Sequence, residues 1–106
     1  MNESPNLSYI KSMCDNDSDF EQKLISIIKE EFPKEKEEYF HNLKSNNFKL
    51  TAGNVHKLKH KISILGPEKS YGIAVAFEHN LLEGKTDLNQ EFESILNTMT
   101  DYLQQL

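Results

Sequence analysis

Apolar residues recur at intervals of three and four positions along nearly the whole chain, and this spacing constrains the fold more than any other feature. Residues spaced in this way share one face of an α-helix, whereas a half-buried strand needs apolar and polar residues in alternation. No long alternating stretch occurs, β-branched residues are sparse, and neither Asn-Gly nor Asp-Gly marks a hairpin turn. The regular structure is therefore predicted to be entirely helical.

Capping residues and helix breakers divide this pattern into six predicted helical segments. Asp17 or Ser18 is expected to cap the second segment, and Asp87 is expected to cap the last. Pro33 has no backbone N–H, so it is expected to break the helix or restart it. The predicted segments cover 7–13, 18–32, 34–44, 51–65, 67–83 and 88–103.

Amphipathic helices joined by short turns, with no strand to pack on, must bury their apolar stripes against one another. The predicted fold is therefore all-α, an up-and-down four-helix bundle with a short extra helix at its N-terminal end. Tyr39, Phe40 and Leu43 are expected to point into this bundle. A chain of 106 residues has the length of a single domain with its own core, and residues 1–6 are expected to be flexible.

The sequence also limits the class of protein. The single cysteine, Cys14, cannot form an intramolecular disulfide and is expected to serve in packing. The N-terminus lacks the basic start and apolar stretch of a signal peptide, and no apolar run is long enough to span a bilayer. A cytoplasmic protein without a membrane partner is expected. Because the chain begins with Met1 and ends soon after the last predicted helix, a free-standing protein is expected. A monomer is the default expectation for its oligomeric state.

The charge of the chain is unevenly distributed. A formal net charge of −5 argues against nucleic acid as a partner, because proteins that bind it present a broad basic surface. Basic residues are nevertheless concentrated at 56–61, where the sequence is HKLKHK, and no carboxylate lies between Val55 and Gly66. An ordinary solvated helix face is the simplest interpretation of such a run. A surface that binds an acidic partner is the alternative.

A helical wheel of segment 51–65 separates two histidines from the apolar stripe. The positions predicted to face inward are Val55, Leu58, Ile62 and Leu65. The opposite sector and its flanks hold Gly53, His56, Lys57, Lys59, His60, Lys61, Ser63 and Ile64. A histidine used for packing is expected on the apolar stripe, so His56 and His60 are predicted to face solvent. Imidazole, with an unperturbed pKa of about 6.5, is available as a nitrogen nucleophile near neutral pH.

An exposed histidine among lysines has the groups that phosphoryl transfer needs. An imidazole nitrogen can attack an acyl phosphate in line, and nearby ammonium groups can offset the added negative charge. Lys59 lies one turn from His56, and Lys57, Lys61 and Lys69 are expected to add to the positive field around it. The other residues expected to support the phosphoryl group or to dock a partner are Lys57, His60, Gly53, Ser63 and Ile64.

The segment from Val55 to Gly66, VHKLKHKISILG, resembles the motif of histidine-containing phosphotransfer (HPt) domains, which has roughly the form A-H-x-L-K-G-S/A-x-x-x-L/I-G. The matching positions are His56, Leu58, Lys59, Leu65 and Gly66. The resemblance implies a small helical bundle in which His56 is the phosphoacceptor and Lys59 is the lysine one turn beyond it. It also implies a phosphorelay carrier that takes the group from the aspartate of one receiver domain and passes it to another.

The same resemblance implies which partners and cofactors are involved. Its partners would be response-regulator receiver domains or hybrid histidine kinases, and the receiver would supply Mg²⁺. The carrier would have no cofactor and no kinase activity of its own. A kinase is also excluded by the residues, because no Gly-rich phosphate loop is present.

Two positions depart from the HPt motif. His60 stands where the family usually has a glycine that leaves room for the receiver, and Lys61 stands where a small serine or alanine is common. Residues four apart on a helix are neighbours. His60 could therefore hydrogen-bond the phosphoryl group, restrict the rotamer of His56, or have no role.

Two other functions use the same residues. His56 and His60, at i and i+4, could ligate zinc, as helix pairs of this spacing do. However, the zinc-protease pattern needs a glutamate where Lys57 stands, and the neighbouring ammonium groups disfavour a dication, so no metal site is predicted. The second alternative is an interaction bundle whose basic face binds an acidic partner while His56 is never modified.

Overall fold

The computed structural model describes residues 4–106 and contains five helices and no strand in that range. The helices are α1 (Ser8–Cys14), α2 (Ser18–Lys44), α3 (Phe48–Leu65), α4 (Glu68–Leu82) and α5 (Asn89–Gln104). Helix α3 packs against both α2 and α4, and α5 packs against α4 and α2. The short linkers 45–47 and 66–67 require the helices that they join to run antiparallel. The predicted all-α bundle with a short N-terminal helix is thus confirmed.

Helix α2 continues through Pro33, so the predicted division of this region into two helices is wrong. Ile28, Phe32 and Tyr39 are all buried, and their spacing places them on one face only if the helix is uninterrupted. Packing of that face against the bundle offsets the loss of a backbone hydrogen bond at the proline, which costs about 3 kcal/mol in a helix interior. Pro33 itself lies on the exposed side of α2.

Asn47 and Gly66 set the limits of α3. The Asn47 side chain accepts a hydrogen bond from the Leu50 N–H at 3.3 Å, so the helix begins at Phe48, about one turn before its predicted start. Gly66 has a φ of 99°, the left-handed conformation that glycine adopts without steric cost at the end of a helix. The predicted end at Leu65 is confirmed.

The two other predicted caps differ in outcome. Asp17 caps α2, because its Oδ1 accepts a hydrogen bond from the Phe20 N–H at 3.0 Å. Asp87 does not cap α5, because the residue before that helix is Leu88, which has a φ of 78° and packs its side chain against the core. Asp87 instead uses its backbone carbonyl, which accepts a hydrogen bond from the Asn80 side chain at 3.0 Å.

Aromatic residues from three helices meet at the centre of the core. The Tyr39 ring packs edge-on against Phe77 and Phe92, with ring centroids 6.1 and 5.3 Å away. Of the three α2 residues expected to point inward, Tyr39 is fully buried, Leu43 is partly buried, and Phe40 is 40% exposed. Adjacent helical positions point about 100° apart, so Phe40 cannot enter the core beside Tyr39. The prediction for Phe40 is wrong.

The N-terminal segment packs against the end of α3. Of residues 1–6, which were expected to be flexible, 1–3 lie outside the described residues. Pro5 is buried, and the Asn6 N–H donates a hydrogen bond to the Leu65 carbonyl at 2.8 Å. Cys14, at the end of α1, is buried in the core as expected. No helix within residues 4–106 has both the length and the apolar character needed to cross a membrane.

Candidate functional site

Helix α3 presents two histidines to solvent because its opposite face is fully packed. Val55, Leu58 and Ile62 on that face have no exposed surface. His56 and His60 are both exposed. The orientation predicted from the helical wheel is therefore confirmed.

Two lysines tie α3 to its neighbours, one on each flank. Lys59 Nζ lies 2.9 Å from Glu78 Oε1 of α4. Lys61 Nζ lies 2.8 Å from Glu31 Oε1 and 3.2 Å from Glu35 Oε2, both on α2. Each lysine side chain is only 13% exposed, so its aliphatic stem lies along the bundle while its ammonium group is paired. Because α3 is held from both sides, the face that carries the histidines has a fixed orientation.

His56 contacts a carboxylate from the neighbouring helix. Its Nδ1 lies 3.2 Å from Glu78 Oε2, and the His56 and Glu78 side chains are 52% and 20% exposed. A carboxylate can only accept, so Nδ1 carries a ring hydrogen, and in the neutral imidazole the lone pair is on Nε2. Glu78 therefore sets both the orientation of the imidazole and the nitrogen that can act as a nucleophile or a ligand.

His60 lies against Nε2 of His56. The two Nε2 atoms are 3.3 Å apart, and the rings meet edge to face with centroids 4.8 Å apart and planes at 88°. His56 Nε2 has no hydrogen in the tautomer that Glu78 selects, so His60 is the donor and His56 the acceptor. In this pair of neutral tautomers, the lone pair of His56 Nε2 is engaged by His60.

Lys61 does not belong to the histidine face. Desolvation lowers the pKa of Lys61, but its hydrogen bonds to Glu31 and Glu35 outweigh that effect, so its pKa lies above the ordinary value of 10.5. The hydrogen bond from Lys61 also holds the pKa of Glu31 below its ordinary value of 4.5. The expected contribution of Lys61 to the positive field around His56 is therefore wrong, because its charge is compensated on the opposite flank of α3.

The other predicted supporting residues are distributed around the histidines. Gly53, Lys57 and Ser63 are exposed, as the helical wheel predicts. A Cβ at Gly53 would meet nothing within 4 Å, so this position leaves open space above the helix. Ile64 is only partly exposed and packs against the core, so its predicted exposure is wrong.

Glu78 belongs to the candidate site through its contacts with His56 and Lys59, but it was not predicted from the sequence. It comes from a different helix, and periodicity within α3 carries no information about it. The sequence contains one indication of this contact, the position of each residue relative to the turn at 66–67 that joins the antiparallel helices α3 and α4. His56 and Glu78 lie equally far along the chain from Pro67, so an antiparallel hairpin brings them level.

An apolar edge of α4 borders the site. Tyr71, Val75 and Leu82 are 38%, 43% and 62% exposed. Helical spacing places all three on the edge of α4 that also carries Glu78. An exposed apolar edge beside polar functional groups is typical of a surface that binds another protein.

Comparison with known proteins finds no match for this chain. No protein-family model matches the sequence, and neither a curated protein nor a solved structure matches it. The resemblance to HPt domains therefore rests on residues 55–66.

Proposed function

We propose that this chain is a phosphoryl carrier of the HPt type, which accepts a phosphoryl group on His56 from a receiver-domain aspartate and passes it to another receiver. The observation that carries this proposal is the contact between His56 Nδ1 and Glu78 at 3.2 Å. This contact leaves Nε2 of His56 as the nucleophile, on a side chain that is half exposed. Glu78 is only 20% exposed, so the carboxylate is held against the ring by the fold.

The proposed step needs no external proton acceptor. His56 Nε2 attacks the phosphorus of the phosphoaspartate, the N–P bond forms as the P–O bond to aspartate breaks, and the aspartate carboxylate leaves. The imidazole keeps its Nδ1 hydrogen and becomes a cation. The Glu78 carboxylate lies where it stabilises that cation. Transfer to the second aspartate is the reverse of this step.

Lys59 supplies positive charge near the reacting group. Its Nζ is paired with Glu78 at 2.9 Å, one turn along α3 from His56. A phosphoryl group on Nε2 adds negative charge, which this ammonium offsets in a partly buried setting where screening by salt is weak. Lys57 adds a further positive charge on the exposed flank.

His60 has two roles in this proposal. Before transfer, its N–H engages the lone pair of His56, so attack requires that this hydrogen bond open at a cost of about 1 kcal/mol. After transfer, the same N–H lies close enough to donate to a phosphoryl oxygen. Its ring also narrows the approach to His56, which restricts the partners that can dock.

A receiver domain of a response regulator or hybrid histidine kinase is the proposed partner. It docks on the exposed face of α3, bordered by Gly53 and Ser63, and on the apolar edge of α4. The receiver provides Mg²⁺ and the acidic residues, so this chain contributes positioning and charge and needs no cofactor of its own. The proposed relay operates in the cytoplasm.

Incubation with a phosphorylated receiver domain tests the proposal. Label should move to this chain, survive base and be lost in acid, as expected of a phosphoramidate. H56Q should take no label. H79Q is the matched control, because His79 is an exposed histidine with its own carboxylate partner, Glu83, at 3.2 Å, and it should label like the wild type. Labelling of H56Q at the wild-type level would overturn the proposal.

A further inference from the structure

We propose that His56 and His60 together form a chelating site for a divalent transition-metal ion of tetrahedral preference, Zn²⁺ above all, on the exposed face of α3. Their i, i+4 spacing alone does not carry this proposal. It rests on the separation of the two Nε2 atoms, on the carboxylate behind His56 and on the pairing of the surrounding lysines.

The two Nε2 atoms already have the separation that a tetrahedral metal requires. They lie 3.3 Å apart. Imidazole nitrogens bind Zn²⁺ at about 2.0–2.1 Å, so two of them at a tetrahedral angle are roughly 3.3 Å from each other. A square-planar ion would bring them to about 2.9 Å. To bind a metal, His60 must carry its hydrogen on Nδ1 instead of Nε2, a change of tautomer that an exposed imidazole makes by exchange with water. Rotation of the two exposed rings then directs both Nε2 lone pairs at a common point.

Glu78 holds His56 in the state that a metal ligand needs. Metal-binding histidines usually donate their second ring N–H to a carboxylate or carbonyl, which fixes the tautomer and raises the basicity of the ligating nitrogen. His56 has this arrangement, with Nδ1 on Glu78 and Nε2 directed at His60. The carboxylate is anchored in turn by Lys59 at 2.9 Å.

The lysines around the pair are a smaller obstacle to a dication than the sequence suggests. Lys61 turns away from the histidines to two glutamates of α2. Lys59 is paired with Glu78. Lys57 is exposed, where water and salt screen its charge. Of the three ammonium charges that argued against a metal, that of Lys61 is therefore removed from the site, and those of Lys59 and Lys57 are reduced but not abolished.

The site supplies two protein ligands and leaves the other coordination positions open. Within residues 4–106, no group of three or more His, Cys, Asp or Glu side chains is arranged to hold a metal ion. Water or a group from another molecule must complete the coordination. Binding should therefore be reversible and weaker than at a four-ligand structural zinc site.

Metal binding and phosphorylation would use the same lone pair, so each would exclude the other. Zn²⁺ on His56 Nε2 would hold the carrier in an unreactive state until the ion was removed. This consequence rests on the proposed phosphoryl transfer, whereas the metal site itself does not.

Calorimetric titration of the tag-free chain with Zn²⁺ tests the site without any receiver. The wild type should bind one equivalent. H56A and H60A should each weaken binding by about tenfold or more, and E78Q should weaken it by about tenfold as a loss of outer-shell support. H79A should bind like the wild type, because His79 lies on α4 outside the pair. Far-UV circular dichroism checks that each variant stays helical.

A Zn²⁺ affinity of H60A equal to that of the wild type would overturn the proposed metal site. So would a wild-type affinity no greater than that of the H56A/H60A double variant. Diethyl pyrocarbonate, which modifies unprotonated imidazole, gives a second measurement. Zn²⁺ should slow modification of His56 and His60 but not of His79, whereas equal protection of all three, or of none, would contradict the site. Neither experiment involves phosphoryl transfer, so failure of the metal site and failure of the proposed function are distinguishable.

Discussion

The carboxylate of Glu78 contacts two side chains of α3, the imidazole of His56 and the ammonium group of Lys59. One oxygen faces the Nδ1 of His56 and the other faces the ammonium group of Lys59. If His56 becomes a cation when it takes a phosphoryl group, the carboxylate interacts with two positive groups at once. The negative charge of Glu78, and not only its ability to accept a hydrogen bond, should therefore matter for transfer.

E78Q separates these two contributions, because its amide oxygen can still accept from His56 Nδ1 while the charge is lost. A hydrogen bond to a charged group is worth about 1.5–3 kcal/mol and one between neutral groups about 0.5–1.5 kcal/mol. The difference of about 1–1.5 kcal/mol should lower the rate of phosphorylation by a receiver about five- to tenfold. Rapid-quench transfer kinetics measure this rate. E83Q is the matched control, because Glu83 pairs with His79 outside the site and its loss should leave the rate unchanged. A wild-type rate in E78Q would show that the carboxylate is not part of the transfer chemistry.

H60A tests whether His60 restrains the nucleophile in the unmodified protein. Removing a hydrogen bond worth about 1 kcal/mol from the lone pair of His56 should raise the rate of phosphorylation about fivefold. Single-turnover transfer from the same receiver measures the change. A rate in H60A equal to or below that of the wild type would mean that His60 does not hold back the attack.

For individual residues, the sequence predicted correctly the features that depend on position within one helix. The outward orientation of His56 and its closeness to His60 follow from positions within α3. The contact with Glu78 depends on how α4 lies against α3, and no pattern within either helix encodes it. Lys61 was misjudged for the same reason, since its partners Glu31 and Glu35 lie on α2.

Among the elements, α2 shows how packing outweighs a local breaking signal. Pro33 lies inside the helix and is exposed, so its effect on stability comes from the backbone and not from lost burial. P33A restores a backbone donor and removes the clash with the preceding turn. We expect the free energy of unfolding to rise by about 1–3 kcal/mol, as measured by urea denaturation. Destabilisation by P33A would mean that the proline conformation is required where α2 packs.

The ion pairs between α2 and α3 make part of the stability depend on pH. Hydrogen bonding to Lys61 lowers the pKa of Glu31 in the folded state. Because the pKa of Glu31 is lower in the folded than in the unfolded state, its carboxylate stabilises the fold at pH values above the unfolded-state pKa, which is near 4.5. This stabilisation is lost as the pH falls through the lower pKa of the folded state. E31Q should therefore be less stable than the wild type at pH 7, and the difference should shrink toward pH 3.

Urea unfolding at both pH values measures this difference. E30Q is the matched control, because Glu30 pairs with Lys34 at 3.7 Å and both side chains are more than 70% exposed. Exposed pairs of this kind contribute little, so E30Q should match the wild type at both pH values. A stability difference for E31Q that stays constant from pH 7 to pH 3 would contradict the role given to the Lys61 contact.

For the whole molecule, the fold was more predictable than the site. Helical periodicity and the absence of strand signals determine the bundle, because apolar stripes on short-linked helices have no other surface to cover them. The site needs the relative positions of α3 and α4, which bring Glu78 to His56 and place the apolar edge at Tyr71, Val75 and Leu82 beside it. These relations arise from packing between elements, so periodicity alone could not supply them.

The most direct test of phosphoryl transfer is to identify the modified nitrogen. The chain is labelled with ¹⁵N, phosphorylated by a receiver domain, and observed by NMR through the correlations of its imidazole nitrogens. The expected result is a phosphoryl group on Nε2 of His56 alone, with the hydrogen retained on Nδ1, where Glu78 holds it. Modification at His41, His60 or His79 in place of His56, or no modification by any receiver tested, would contradict the proposed function.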